Sequence, residues 1–334
     1  MVMRARPAVG RILVALCVAV VFFTRPAAAW NDKGHMAVAF VAYQQLTPAV
    51  RERVDRLLRM NPYYRRWLAM IPSTVPAGER NLAVFMIAAT WADQIKSDPA
   101  YRDDGTQGGN RPGGALSSRN LGYADTFRHK YWHFVDIPFS GAAGAHLPSI
   151  PVPNAQDRIA LFLSVLASPT AADALKSYDL TWLLHIVGDI HQPLHAATRV
   201  TPGHFDGDNG GNSVHICEDT ACRMTTNLHS VWDGLLGFQE DVASAMAAAR
   251  RLPAAPADRV RVVDPPQWVQ ESFALARSEV YQTPVRADVG PYTLTPAYQA
   301  HARQIGEARV ALAGARLAAV LNRDLAASSG RGTR

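Results

Sequence analysis

The centre of the chain reads His185-Ile-Val-Gly-Asp189-Ile-His-Gln-Pro-Leu-His195. An imidazole and a carboxylate four residues apart project from the same face of a helix, so His185 and Asp189 are predicted to lie side by side. The residues that flank His185 are apolar, and an ionised carboxylate among them needs a strong partner. A divalent cation would be such a partner. The alternative is a buried hydrogen bond between His185 and Asp189 that braces two helices.

The same spacing recurs further along the chain, in Asn227-Leu-His229-Ser-Val-Trp-Asp233. A single His-x-x-x-Asp pair often arises by chance, but two of them with His195 in between rarely would. Imidazole nitrogen and carboxylate oxygen with little sulfur suit zinc, although ligand type alone leaves manganese or another transition metal open. The pattern therefore predicts a metal site.

Two other segments place a metal-ligand residue type among aromatic and aliphatic neighbours. They read Thr90-Trp-Ala-Asp93-Gln-Ile-Lys96 and Tyr131-Trp-His133-Phe-Val-Asp136. Taken alone, Asp93 is more typical of a carboxylate at a helix end, and Asp136 of a helix cap. These segments gain significance only together with the histidine pairs.

Amphipathic periodicity predicts a mostly α-helical fold. Helices are expected near residues 35–46, 48–59, 79–95, 154–167, 179–190, 226–236, 266–283 and 295–323. Strand alternation at 213–216 predicts a small β-hairpin. Stretches rich in Gly, Pro and Ser predict long loops at 103–120, 140–154 and 201–212. Because chemistry-bearing residues lie on both sides of every loop, we expect one multi-helix bundle domain over 30–325, with a disordered tail at 326–334.

Residues 1–29 have the layout of a secretory signal peptide. Arginines precede the apolar run 12–23, and Ala27-Ala-Ala29 offers a cleavage site. The apolar run is shorter than the ~20 residues that span a bilayer, so no membrane anchor is expected after cleavage. We expect a secreted or periplasmic protein that begins at Trp30. The leader carries four of the 34 basic residues and none of the 28 acidic ones, so the mature chain has no global electrostatic footprint for nucleic acid.

Three cysteines are present, and Cys17 lies in the expected leader. In an exported protein the remaining pair, Cys217 and Cys222, predicts a disulfide that closes a small loop and suits the hairpin. A cysteine metal site is the weaker alternative, because the spacing is not Cys-x-x-Cys and there is no second pair.

Taken together, these motifs resemble the zinc-dependent single-strand nucleases of the S1/P1 family, which share a superfamily with bacterial zinc phospholipase C. The matching segments occur in the family's order over about two thirds of the mature chain. They are Trp30-Asn-Asp-Lys-Gly-His35, Trp91-Ala-Asp93, Trp132-His133-Phe-Val-Asp136, the central run 185–195, Gly210-Gly-Asn212 and the run 227–233. The resemblance implies a helical bundle of the zinc phospholipase C/nuclease type.

The resemblance also implies a site that holds three zinc ions. One ion would be bound by Asp93, His133, His185 and Asp189, and a second by His195, His229 and Asp233. The third would take the α-amine and carbonyl of Trp30, His35 and a bridging Asp189. Because that amine exists only after signal cleavage, cleavage itself is expected to complete the site. Beyond the metal ligands, Asp136 resembles the family's water-orienting carboxylate, and Lys96 and Asn212 resemble its phosphate-contacting groups.

The implied activity is that of a monomeric endonuclease which hydrolyses single-stranded DNA and RNA to 5′-phosphorylated nucleotides, with 3′-nucleotidase action as a further expectation. A flexible strand can place its bases on aromatic side chains. Phe134, Phe205 and Tyr123 are candidates, and each is equally compatible with a core or loop role.

Two other functions remain open. A zinc phospholipase C would keep a similar cluster, but the step from Trp30 to His35, the Gly-Gly-Asn at 210–212 and Asp at 233 favour a nuclease. A non-enzymatic periplasmic zinc-binding protein would not require a buried mixed-ligand cluster tied to the amino terminus.

Overall fold

The computed structural model describes residues 30–104, 119–239, 241–286 and 289–327. Within these residues the protein is mostly helical, which confirms the predicted fold class. The helices are α1 Asp32–Gln45, α2 Pro48–Leu58, α3 Tyr64–Met70, α4 Arg80–Ala88, α5 Trp91–Ser97, α6 Ala155–Ala167, α7 Asp173–Asp189, α8 Leu228–Asp233, α9 Val242–Ala249, α10 Ala257–Val260, α11 Pro265–Leu275 and α12 Pro296–Ala327. The strands are β1 Ile137–Phe139, β2 Ala197–Arg199, β3 His215–Cys217 and β4 Thr225–Asn227.

Helix α7 runs through the middle of the bundle. It packs on α1, α2, α6 and α12, and nearly every residue from Lys176 onward is buried. A helix that is covered on all sides lacks a polar face, which explains why amphipathic periodicity placed its start near 179 rather than at Asp173. The consequence for function is that His185 and Asp189 lie at the carboxyl end of a helix fixed by packing on every side.

Helix α1 packs along α12 and against α9. It begins where the side chain of Asn31 accepts a hydrogen bond from the backbone N–H of Gly34, an N-cap that satisfies a free donor of the first turn. At its other end the side-chain amide of Asn322 donates to the carbonyl of Gln45 and accepts from the N–H of Thr47. The first and last helices are therefore joined along their length.

Two short strand pairs accompany the helices. Strand β3 pairs with β4 in antiparallel fashion, and a disulfide joins Cys217 to Cys222, so the predicted hairpin and disulfide are confirmed. Strand β1 pairs with β2 in parallel, with Ile137 opposite Ala197. The sequence analysis did not predict this second pair, which places the residues before the two strands, Asp136 and Ala196, next to each other.

Several predicted boundaries differ from the structure. The helix expected at 79–95 is two helices, because the backbone turns at Ala89 and Thr90 and the Thr90 hydroxyl bonds the carbonyl of Ile87. In place of the helix expected at 266–283, an α-helix ends at Leu275 and a π-helical turn follows it from Ala276 to Val280. Helices α3, α9 and α10 were not predicted.

The ends of the chain fall largely outside the structure's description. The expected signal peptide at 1–29, most of the loop predicted at 103–120, and residues 328–334 of the expected tail lie outside the described residues. At 326–327 the chain is still helical, because α12 runs to Ala327. Among the helices described, none is both long enough and apolar enough to cross a membrane.

Candidate metal centre

The carboxyl end of α7 gathers ligands from three other segments. The Asp189 Oδ2 atom lies 3.4 Å from His185 Nε2 and 3.0 Å from His133 Nδ1. On the opposite side, Asp93 Oδ1 is 3.6 Å from His185 Nε2 and 3.9 Å from His133 Nδ1. These four side chains, predicted as one ligand set, therefore face a common point.

His35 completes this cluster from helix α1. Its ring stacks on that of His185 with centroids 3.7 Å apart, and its Nε2 lies 3.3 Å from Asp189 Oδ1. The absence of a side chain at Gly188 helps this close approach, because a Cβ atom there would lie 3.1 Å from His35 Nδ1, a tight contact. One carboxylate oxygen of Asp189 thus faces His35 and the other faces His133 and His185, as expected of a bridging ligand.

A second cluster forms where α8 meets the turn after α7. The Nε2 atoms of His195 and His229 are 3.0 Å apart, and Asp233 Oδ2 is 3.5 Å from His229 Nε2. Gln192 donates from Nε2 to the other oxygen, Oδ1, of Asp233 at 2.8 Å. Only one oxygen of Asp233 is therefore left to face the two imidazoles.

In the described part of the chain, three groups of three residues each bring ligand atoms within 4.8 Å of one another. They are His35, His185 and Asp189; then Asp93, His133 and His185; and finally His195, His229 and Asp233. Eight of the nine residues predicted as metal ligands are thereby brought together, although they come from separate segments.

The hydrogen bonds of the imidazoles test whether these groups suit a metal. The Nδ1 atoms of His185, His195 and His229 lie 2.7 Å from the carbonyl oxygens of Ala89, His133 and Gly210, respectively. A carbonyl can only accept, so each Nδ1 carries the proton and each Nε2 presents a lone pair to the cluster. Neutral imidazoles fixed in this tautomer by an outer hydrogen bond are the form that binds a metal.

Unpartnered polar atoms support the same conclusion. Within the described residues, Asp189 Oδ1, Asp233 Oδ2 and both ring nitrogens of His35 are buried without a hydrogen-bond partner. Leaving such atoms unpaired costs free energy. A cation would pair the two carboxylate oxygens and one ring nitrogen of His35, and nitrogen with carboxylate oxygen is the donor set of zinc.

Burial also sets the protonation of the protein alone. It lowers the pKa of His185 to about 3 and that of His229 to about 4, so both rings are neutral at physiological pH. Burial raises the pKa of Asp189 and Asp233 well above the usual value for a carboxyl. The imidazoles are thus ready to bind a metal, whereas a cation is needed to keep the two carboxylates ionised.

Trp30, the ninth predicted ligand, lies against the first cluster. Its indole Nε1 donates to the carbonyl of Gly188 at 3.0 Å, and the N–H of the next residue, Asn31, donates to the carbonyl of Asp233. These contacts place the start of the predicted mature chain beside both clusters. Binding of a metal by the α-amine of Trp30 stays a prediction.

A cavity opens beside the two clusters, lined by His133, His195 and His229 on the metal-ligand side. Its other lining residues are Lys96, Lys130, Phe134, Asp136, Leu194, Asn209, Gly210 and Asn212. All three residues predicted as catalytic, Asp136, Lys96 and Asn212, are therefore brought to one space. The cavity is the natural place for a substrate to meet a bound metal.

The three predicted catalytic side chains are held in different ways. Lys96 Nζ lies 2.6 Å from Asp93 Oδ1, one turn away on α5. Asp136 has a left-handed backbone with φ 57°, between Val135, which bonds the carbonyl of His195, and strand β1. Asn212 donates its amide to the carbonyl of Asn209 at 2.8 Å.

The three aromatic side chains that were candidates for stacking on bases lie in different environments. Phe134 lines the cavity. Phe205 is 76% exposed and is not part of the cavity wall. Tyr123 belongs to the core, because its hydroxyl bonds Ser177 and its ring packs edge-on against Tyr178.

The sequence analysis missed three residues that shape the site. Gln192 positions Asp233, and Lys130 lines the cavity. Asp208 supports the loop of the Gly-Gly-Asn motif, because its Oδ1 accepts from the N–H groups of Arg199 and Gly211. The available signal for Gln192 was its place inside the central histidine run, where a polar side chain has to be buried.

A helical bundle with three groups of histidine and aspartate that could hold a metal ion, beside a cavity with lysine and asparagine side chains, indicates a metal-dependent protein. The chain belongs to the S1/P1 nuclease family, whose sequence model matches residues 30–326. Nuclease S1 of Aspergillus oryzae is 25% identical over 217 residues, which are 61% of this chain and 53% of that nuclease.

Two relatives come from Arabidopsis thaliana. Endonuclease 4 is 36% identical over 78 residues, 22% of this chain and 23% of that protein. Endonuclease 3 is 25% identical over 214 residues, 62% of this chain and 54% of that protein. The chain thus matches about half the length of these relatives, or less.

Proposed function

We propose that the protein is a zinc-dependent endonuclease that hydrolyses single-stranded DNA and RNA to 5′-phosphorylated nucleotides, with 3′-nucleotidase activity on the same site. The observation that carries this proposal is a cavity on which two of the three ligand groups border, through His133 of one and through His195 and His229 of another. The same cavity holds Lys96, Asp136 and Asn212. Membership of the S1/P1 nuclease family supports it. The proposed catalytic domain spans residues 30–325 and acts as a monomer.

Three zinc ions would be held by Asp93, His133, His185 and Asp189; by His195, His229 and Asp233; and by Trp30, His35 and the shared Asp189. When bound, zinc supplies Lewis-acid polarisation of the phosphoryl oxygens and of the attacking water. The buried imidazoles and carboxylates around it keep solvent away from the charges, which strengthens every electrostatic contact with a phosphodiester.

The residues of the cavity have separate roles in this proposal. Lys96 is fixed by Asp93 and presents a positive charge to the phosphate. The Asp136 carboxylate orients the attacking water, and the Asn212 amide donates to a phosphate oxygen. Phe134 offers a stacking surface for a base of a flexible strand, which a duplex cannot bring into a recessed cavity.

Export is part of the proposal. The leader-like residues 1–29 and the disulfide between Cys217 and Cys222 support a secreted or periplasmic enzyme. Such an enzyme would remain incomplete in the cytoplasm, where the nitrogen of Trp30 still belongs to a peptide bond.

A substrate comparison tests the proposal. Purified mature protein would be supplied with zinc and assayed on single-stranded DNA, single-stranded RNA, duplex DNA and phosphatidylcholine vesicles. We expect the single strands to be cleaved at least 100-fold faster than the duplex, with 5′-phosphate on the products, and no release of phosphocholine. Faster hydrolysis of phosphatidylcholine would assign the protein to phospholipase C instead. Zinc binding without any hydrolysis would leave a zinc-binding protein.

A further inference from the structure

A second lysine, Lys130, lines the cavity beside the proposed catalytic residues. It begins the short helical turn Lys130–His133 that presents His133 to the metal cluster. Its position on the cavity wall, next to but outside the metal clusters, is that of a group that meets the substrate away from the scissile bond.

The two cavity lysines differ in how their charges are compensated. Lys96 contacts Asp93 Oδ1 at 2.6 Å, and both side chains are about nine-tenths buried, so its charge is tied to a proposed metal ligand. Lys130 Nζ instead contacts Asp103 Oδ1 at 2.8 Å, and 52% of the Asp103 side chain is exposed. An exposed ion pair of this kind is weak and exchanges its partners readily.

Asp103 is also shared between two cations. Its Oδ2 atom lies 3.2 Å from the guanidinium of Arg128, while Oδ1 holds Lys130. The hydrogen bond from Lys130, followed by the nearby charges of Lys130 and Arg128, lowers the pKa of Asp103, so the carboxylate stays ionised at neutral pH. If Lys130 moved to a phosphate, Asp103 would still be paired with Arg128. No uncompensated carboxylate would be created, which keeps the free-energy cost of the exchange small.

This arrangement supplies locally the positive charge that the chain lacks overall. Without residues 1–29 the sequence has 30 basic and 28 acidic residues, so attraction for a polyanion has to come from particular side chains. Beyond the metal clusters, a strand longer than one phosphodiester presents further phosphates at the mouth of the cavity. Lys130 is a cation on the cavity wall, and its present partner, Asp103, is also paired with Arg128.

We propose that Lys130 binds the phosphate adjacent to the scissile one, so that it makes the enzyme prefer strands of several nucleotides over a single phosphodiester. This inference rests on the proposed nuclease function, and it deepens that function by adding a phosphate subsite. Lys130 acts in substrate binding, so its effect is expected in KM more than in kcat.

The test compares two substrates in wild-type protein and in Lys130→Met. One is a thymidine dinucleotide with a single phosphodiester, and the other is a thymidine tetranucleotide with three, both lacking terminal phosphates. For Lys130→Met we expect kcat/KM on the tetranucleotide to fall about tenfold, the loss expected for one charge-assisted hydrogen bond, and the loss on the dinucleotide to be at least fivefold smaller. The slope of log kcat/KM against log salt concentration should decrease by about 0.7 on the tetranucleotide.

Two further variants separate phosphate binding from a structural role. If Lys130 only braced the loop through Asp103, then Asp103→Asn would reproduce the loss seen in Lys130→Met. Under our inference Asp103→Asn releases Lys130 and leaves the tetranucleotide rate equal or higher. Arg102→Met is the matched control, because Arg102 packs over the ring of Phe127 in the same region and does not line the cavity. It should leave both rates unchanged.

The outcomes are distinct. Equal losses of Lys130→Met on both substrates, no loss on either, or the same loss in Asp103→Asn would overturn the subsite while the nuclease function stands. Wild-type protein that cleaves neither substrate would overturn the nuclease function and the subsite with it. Zinc content and melting temperature of each variant, expected to match wild type, show that the metal site has formed.

Discussion

The Nε2 atoms of His195 and His229 face each other across 3.0 Å, although each ring has its proton on the opposite nitrogen. Two lone pairs at this distance repel each other unless a cation lies between them. His185 Nε2 and His133 Nδ1 are similarly close, at 3.1 Å. The ring positions are therefore those of a metal-binding protein, and removal of metal should be costly.

Metal removal should destabilise the fold. We expect purified protein to contain about three zinc ions, and a chelator to lower its melting temperature by about 10 °C or more, because the binding free energy of a preformed site contributes to folding. Three equivalents of zinc should restore it. Metal analysis and calorimetry provide the measurements. A metal-free sample with full activity and an unchanged melting temperature would contradict the proposed centre.

Two neighbouring residues of the central run should respond very differently to substitution. Asp189→Asn removes the charge that faces His35, His133 and His185, so we expect loss of metal and at least a 1000-fold fall in activity. His191→Ala should keep its metal and an activity within about tenfold of wild type. His191 points away from the clusters, with Nδ1 near the carbonyl of Val187 and Nε2 near Arg316.

Asp189 and His191 lie close together in the sequence, and different measurements distinguish the effects of their substitution. His191→Ala should lower the free energy of unfolding by roughly 2 kcal/mol, because buried polar partners are left unpaired. Denaturant unfolding measures this, and metal analysis separates it from the effect at Asp189. If His191→Ala were the variant that lost metal, the ligand assignment would have to be abandoned.

One added residue at the amino terminus should impair the site. Placing a single Ala before Trp30 turns its amine into an amide nitrogen, whose lone pair is delocalised and cannot bind a metal. An α-amine, with an ordinary pKa near 8, is readily deprotonated beside zinc. We expect one of the zinc ions to be lost or weakly held and the nuclease rate to fall at least 100-fold.

The correctly processed protein is the control for this experiment. The alternative is that Trp30 contributes only its indole, which bonds Gly188 and would remain in place in the extended form. Unchanged zinc content together with an unchanged rate would establish that alternative.

His129 should make stability depend on pH. It is buried, which lowers its pKa, but hydrogen bonds to Asp104 and Asp125 outweigh burial and raise the pKa above the usual value. Tyr131 also faces His129, and the ring of His129 stacks on that of Trp132. The folded state therefore binds the proton more tightly than the unfolded chain. The resulting stability is fully present below pH ~6.5 and is lost as pH rises through the raised pKa.

Asp104, a carboxylate partner of His129, sets the lower pH limit of this stabilisation. Burial raises the pKa of Asp104, but the hydrogen bonds from His129 and Tyr131 and the charge of His129 together outweigh it and lower the pKa, so that contribution is present above pH ~4 and is lost as pH falls further. The difference in melting temperature between wild type and His129→Gln should be largest between these limits and shrink at alkaline pH. His301→Gln, at an exposed pair with Glu279, is the control and should show little change. A constant difference across pH would show that His129 is neutral.

Local spacing made much of this structure predictable. The four-residue step from His185 to Asp189, and from His229 to Asp233, is a property of the helix itself, and both pairs lie close in the structure. The hairpin and its disulfide also depend on neighbouring residues. Convergence of the separate segments was expected only from the resemblance, because no single helix contains enough ligands for a metal.

Contacts between distant segments were not predictable in this way. The parallel pairing of β1 with β2 joins strands that are far apart in the sequence. The hydrogen bond from Gln192 to Asp233 depends on how the turn after α7 meets α8. Lys130 looks like any surface lysine in sequence, and only the packed loop shows that it lines the cavity. Helices α3 and α9 are short, and their boundaries are set by neighbours rather than by an amphipathic pattern.

The pairing of α1 with α12 has a consequence for how the protein is made. Helix α1, the first of the helices described, packs chiefly on α12, the last of them, and Asn322 joins the two through Gln45 and Thr47. Helix α1 therefore cannot be fully covered until α12 has been translated. Completion of the bundle is therefore postponed until α12 has been made, so the helices cannot all be buried one after another during synthesis.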